Sequence, residues 1–313
     1  MKRKFLSILL TLAMALTLLP TAAMAEGEPA EVPAGEGSAP EYVAQIGDKQ
    51  YATLQAAVDA AKNKTVKLIA DTTENVTIST YGVTLDLNGF TLNGSTGKRE
   101  PALTVSNARV TVQDSSAAQT GTIMREDTAE NSGDGSHYVI DIQGQNTFLK
   151  FEGGTVKNNS GNKKGNGASL VRVGDDSVKA WPQLTITGGT FTQDNFIVIK
   201  VDRGTFYLTG GTLNSQNDYA VENWKSATIK GGTVNGAVAA WTYSGGANSD
   251  LTISGGTVNG NVLSVNYGSA EGKVAKVSIT GGTVNGALDT RSYDPSTNEL
   301  TSIDDATKAT IKV

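Results

Sequence analysis

The 313-residue chain has no cysteine and a single histidine, and aromatic residues make up only 6% of it. Without cysteine there is no disulfide framework, thiolate nucleophile, Cys-ligated zinc or iron–sulfur cluster. One histidine excludes every multi-histidine metal site. Long apolar runs are missing as well: the run 5–19 is shorter than the ~20 residues of a membrane span. What the chain has in excess is glycine, 36 residues. Because Val, Ile and Leu recur throughout, that glycine marks tight turns rather than disorder or collagen.

Lys2, Arg3 and Lys4 precede the apolar run, and Ala23-Met24-Ala25 places small residues at a cleavage site before Glu26. This is the three-part pattern of a secretory signal peptide over 1–25, and it predicts a secreted chain, extracellular or held at the cell surface. Removing 1–25 takes away three basic and no acidic residues, leaving 23 against 31, a formal −8. Such a balance argues against nucleic acid as a partner, since phosphate binding is driven by basic patches. The mature chain is expected to carry no membrane span. Residues 26–41, with three Pro and five Glu, read as a disordered acidic linker.

The rest, 42–313, is expected to form one domain that opens with an N-terminal cap over 42–64. Tyr42-Val43-Ala44-Gln45-Ile46 alternates as a short strand, Gly47-Asp48 is a turn, and Thr53 is a helix N-cap. Leu54, Ala57, Val58 and Ala61 then fall on one helical stripe. From Thr65 onward the period drops to two, with short runs such as Val76-Thr77-Ile78 and Val83-Thr84-Leu85-Asp86-Leu87 between turn residues. Gly-Gly-Thr then recurs at 153, 188, 210, 231, 255 and 281, each copy behind an alternating strand; 121–123 and 88–92 read as degenerate earlier copies. A period of ~20–30 residues with short strands and no helices predicts a β-solenoid. Its coils stack about 4.8 Å apart, so that Leu184, Leu208, Ile229, Leu251 and Val277 form an inner column. Asn214, Asn235, Asn259 and Asn285, each two residues past the Thr, are either a stacked amide ladder or plain turn residues. Ala309 to Val313 reads as a last strand with no cap after it.

This arrangement resembles the right-handed single-stranded parallel β-helix proteins of the pectin-lyase-like superfamily, in particular secreted bacterial members of Gly-Gly-Thr type. The resemblance rests on TLQAAVDAA at 53–61, VTLDLNGFTLNG at 83–94 and the repeats, and covers roughly 42–313. It implies an all-β fold with a short N-terminal capping helix, and it specifies function poorly, because the scaffold hosts lyases, hydrolases, adhesins and spacers. Of the motifs of similar polygalacturonases only Asp175-Asp176 is present; His137 follows Ser136 rather than Gly, and Val198-Ile199-Lys200 lacks the Arg.

Two candidate sites follow. Aligning VID, LVR, VIK and AVE puts Asp141, Arg172, Lys200 and Glu222 outward in one column. As a lyase face, such a column would use a base among these residues with bound Ca2+; as plain structure, its alternating signs neutralise one another. The second candidate is aromatic: Trp224 and Trp241 occupy matching offsets in AVENW and AVAAW, with Tyr243 and Tyr267 near the same edge. Outward, they form a platform for flat sugar faces; alternatively both Trp cover the rim beneath a loop. The longer loops 125–136 and 157–169 interrupt adjacent coils and are expected to project side by side as a binding lip. Outward hydroxyls such as Thr185-x-Thr187 could match an ice lattice, but Tyr207 and Lys230 break the rows. The sequence favours a non-enzymatic, carbohydrate-interacting or adhesin-like module with no cofactor or metal and extracellular or cell-wall polysaccharide as partner. A polysaccharide lyase and a structural spacer are the alternatives.

Overall fold

The computed structural model describes residues 41–97, 100–126, 138–158, 169–175, 179–193, 196–242, 248–268 and 272–313. These fall in one compact unit, Pro40–Val313; the other unit, Met1–Ala39, with the expected signal peptide and nearly all of the expected linker, lies outside the described residues. Strands dominate a long mixed sheet. Among the described residues no helix is long and apolar enough to cross a membrane.

The helix Leu54–Asp59 is short because its role is local. Thr53 caps it through the Ala56 N–H, and its stripe of Leu54, Ala57, Val58 and the following Ala61 is fully buried. Two further contacts weld it to the first strands. The Glu74 carboxylate accepts the free Leu54 and Gln55 N–H groups at 2.7 and 3.1 Å, which the helix cannot satisfy itself. The Gln55 amide exchanges hydrogen bonds with the Thr77 backbone at 2.8 and 2.9 Å, standing in for a paired strand. Beside it, Ala44–Ile46 pairs antiparallel with Lys49–Tyr51 and Thr65–Leu68.

Beyond this cap the strands pair in parallel with their equivalents one repeat away. The repeat threonines lie in register from Thr91 through Thr122, Thr155, Thr190, Thr212, Thr233 and Thr257 to Thr283, so the degenerate copies belong to the same series. The two glycines of each doublet do different things. The second, such as Gly211 at φ +83°, makes the corner in the left-handed region. The first lies so close to the preceding repeat that a Cβ on Gly210 would sit 2.3 Å from the Thr187 carbonyl oxygen.

Apolar side chains before and after the doublet fill the interior. The expected inner column is corrected here: Leu184, Phe206, Ala227, Leu251 and Val277 form one column, and Ile186, Leu208, Ile229, Ile253 and Ile279 another. Leu208 and Ile229 lie two residues before their glycines, Leu184 four before, so they occupy adjacent inward positions of the strand. The interior is not wholly apolar. Asn223, in register with Val201, is fully buried, and its amide donates to Ser249 Oγ and the Asp250 carbonyl while accepting the Lys225 N–H. At the far end, Leu288–Asp294 turns back antiparallel onto Glu299–Ser302, and Ala309–Lys312 pairs in parallel with Ala275–Val284.

The amide ladder forms. Asn235 Nδ2 donates to Asn214 Oδ1 at 2.8 Å, Asn259 to Asn235 at 2.6 Å and Asn285 to Asn259 at 2.7 Å, and the first member donates to Thr192 Oγ1. Nearer the cap, Asp114 ties two turns together by accepting the N–H groups of Gly89, Ser116 and Gly121 at 2.9, 3.0 and 2.6 Å. Burial pushes its pKa up, but the hydrogen bonds outweigh that and hold the carboxyl below the usual range.

Asn235→Ala breaks the ladder in the middle and is expected to cost about 1–2 kcal/mol in urea denaturation. For Asp114→Ala the expected loss is about 2–3 kcal/mol at neutral pH. Because its folded pKa is depressed, the stability it contributes is complete above ~3.9 and fades as pH falls through the folded value. The gap between wild type and variant in urea midpoints therefore closes in acid.

Candidate functional site

The strands after the corner carry the predicted column. Register sets Asp141 beside Arg172, Arg172 beside Lys200 and Lys200 beside Glu222, so the four residues are brought together on one outward row. Within it the charges are engaged. Arg172 grips both Asp141 oxygens at 2.8 and 2.9 Å, reaches Asp175 at 2.9 Å and lies over the Tyr138 ring. Burial works against its charge, yet Asp141 outweighs burial and raises the guanidinium pKa further. Lys200 sits 3.2 Å from Asp202; burial again opposes the charge, and Asp202 with Glu222 overrides it, so this ammonium also titrates above its ordinary value.

At Glu222 the row changes character. The next residues in register are Ala239 and Leu263, and one position pair along the strand Trp241 is followed by Val265. An outward apolar cluster thus begins where the charges stop. Trp224 and Trp241 stack at 5.4 Å between centroids, 31° apart, and Tyr219, Tyr267 and Tyr293 complete a ridge of rings linked at 5.1–6.4 Å. Such offset and edge-on contacts are worth about 0.5–1.5 kcal/mol each beyond burial. Trp241 is the covered centre, 6% exposed, while Trp224, Tyr219, Tyr267 and Tyr293 remain half-buried and present the open ring surface. The Trp241 Nε1–H is buried and faces the Tyr219 phenol.

Glu222 is trapped at the boundary, 8% exposed, and accepts the Trp224 Nε1–H at 2.7 Å. Loss of solvent pushes its pKa up to about 7, against the pull of Trp224 and Lys200. Burial likewise raises the Tyr219 phenol and the Asp218 carboxyl.

A change in corner length opens space beside the ridge. Nine residues lead from Thr212 to Val221, but five lead from Thr233 to Val238 and from Thr257 to Val262. The extra residues 215–218 stand over a floor left bare by the shorter corners, forming a cleft of about 570 Å³ that also takes in Tyr219 and Leu263. Its floor glycines cannot be larger: a Cβ on Gly260 would lie 2.1 Å from the Gly236 carbonyl oxygen. A second cleft of about 510 Å³ opens under the hairpin at the other end of the ridge, lined by Gly268, Tyr293, Asp294 and Glu299 among others.

Of the predicted binding residues, the structure brings Trp224, Trp241 and Tyr267 together; Tyr243 lies outside the described residues. So do Asp176, His137 and most of the loops 125–136 and 157–169. Sequence reasoning missed Tyr293, although it stands five residues past Leu288 as Tyr267 does past Val262, a match that the offset itself could have exposed. It also missed Tyr219, whose place depends on the longer corner. Trp181 is 53% exposed and belongs to neither cluster.

A carboxyl whose folded pKa is raised stabilises the fold fully below its unfolded value near 4.5, and that contribution is lost as pH rises toward about 7. Glu222→Gln keeps an acceptor for Trp224 and removes the titration. Its thermal stability is expected to stay flat across this window where the wild type declines, and to exceed the wild type by as much as about 3 kcal/mol at mildly alkaline pH. Compared with protein-family models, curated proteins and solved structures, the chain matches none of them.

Proposed function

We propose that the chain is a secreted right-handed parallel β-helix of the pectin-lyase-like kind that binds polysaccharide outside the cell, or at its surface, without cleaving it. The observation that carries this reading is the outward aromatic ridge with an open cleft at each end. Ring faces take the apolar faces of sugars, and the clefts offer backbone and side-chain polar groups for hydroxyls. A spacer has no use for half-exposed rings gathered from three repeats.

The lyase alternative draws less support. It needs an unprotonated base, and Arg172 and Lys200 are both paired with carboxylates that hold their protons. Nor do the residues fit a calcium ion: both Asp141 oxygens are taken by Arg172, and no group of three metal-ligating side chains occurs among the described residues. No catalytic step is therefore assigned to this column.

Retention on a panel of immobilised polysaccharides, scored also for cleavage, tests the proposal. Trp224→Ala and Tyr267→Ala are each expected to weaken retention by about tenfold, for roughly 1–2 kcal/mol of ring contact. Full retention by both variants, with folding verified by circular dichroism, would sink it.

A further inference from the structure

The charges around the ridge narrow the ligand class. Among the described residues, the first cleft contains one charged side chain, Asp218, the second contains two, Asp294 and Glu299, and no Lys or Arg lines either. The basic groups nearest the ridge in register are already committed, Lys200 to Asp202 and Arg291 to Asp289 at 2.5 Å. Asp218 is half-buried beneath the wall it belongs to. Its carboxylate accepts the Tyr219 N–H at 2.7 Å and has no ion-pair partner among the described residues. Glu299, exposed on the hairpin, has none there either. Each cleft therefore offers negative charge that a bound cation would compensate, and each opposes an anion by like-charge repulsion.

From the ridge and its two acidic clefts together we infer that the site selects amine-bearing polysaccharides, such as glucosamine polymers, over uronate polymers. The inference rests on the polysaccharide reading above and adds charge selection to it. The rings supply stacking that is indifferent to charge. The carboxylates at either end then discriminate: a protonated sugar amine meets Asp218 or Glu299, whereas a uronate meets a carboxylate with no cation between. A chain ligand engages both ends at once, so the preference grows with ligand length until both clefts are occupied.

Isothermal titration of the full chain with glucosamine, N-acetylglucosamine and galacturonate oligomers of equal length decides the matter, at mildly acidic pH where sugar amines are charged. The glucosamine oligomer is expected to bind about tenfold tighter than its acetylated form, with galacturonate weakest. Added salt should erase the advantage. Asp218→Asn combined with Glu299→Gln should bring the glucosamine oligomer down to the affinity that the acetylated oligomer shows for the same variant. Glu299→Gln alone, on an exposed hairpin position, gives a partial loss and serves if the double variant unfolds. Equal or tighter binding of galacturonate, or full preference retained in the variants, overturns the charge selection while leaving polysaccharide binding by the ridge intact. Absence of binding by all three, together with no retention on the wider panel, overturns both.

Discussion

Parallel backbone pairing between equivalent strands is the constraint on which the rest of the molecule depends. On the strands that flank the doublet, each residue lies against the residue at the same distance from its own doublet one repeat away. In the later repeats the doublet makes one corner, whereas Asn88-Gly89 and Gly121 serve the equivalent earlier turns. A side chain on the first glycine would collide with the carbonyl of the repeat before it, and one on the second would be strained in the left-handed region. Given those two glycines, the interior becomes apolar columns and the exterior becomes rows, and rows of Asn bond into a ladder because their spacing is that of the backbone itself.

The same register explains why chemistry collects on one face. The strands after the corner carry charges in the middle repeats and apolar groups in the next two, with Glu222 where the two meet, before charge returns at Asp289 and Arg291. Neutralised, largely buried pairs cover the earlier part, where the cost of desolvation offsets much of their attraction. The later part stays uncovered, and its rings cover one another instead. Shortening the corner by four residues between the repeats at Thr212 and Thr233 removes what would otherwise shade this surface, which is how one length difference creates a cleft.

Much of the repeat was readable in advance. The helix stripe, the Asn series, the Gly-Gly-Thr register and the order Asp141, Arg172, Lys200, Glu222 all follow from counting, because a stacked repeat converts distance from a landmark into position. Counting failed where the landmark was misapplied, as when Leu208 and Ile229 were put in the column of Leu184. It also failed where chain length departs from the repeat: Tyr219 reaches the ridge across a longer corner, and no periodicity marks a hairpin folding back at Glu299–Ser302. Asn223 was invisible for another reason, since its burial is tolerable only through partners 26 and 27 residues away.

By itself the sequence determined the all-β repeat, its period, its capping helix and the residues that line each row, since these depend on local propensity and on spacing along the chain. Only the tertiary structure decided which rows are satisfied and which are open. Whether a guanidinium is gripped by two oxygens, a carboxyl is stripped of water or a tryptophan is covered by tyrosines depends on distances between side chains from different repeats. Those distances are set by corner lengths and neighbouring volumes that the pattern of residue types does not encode.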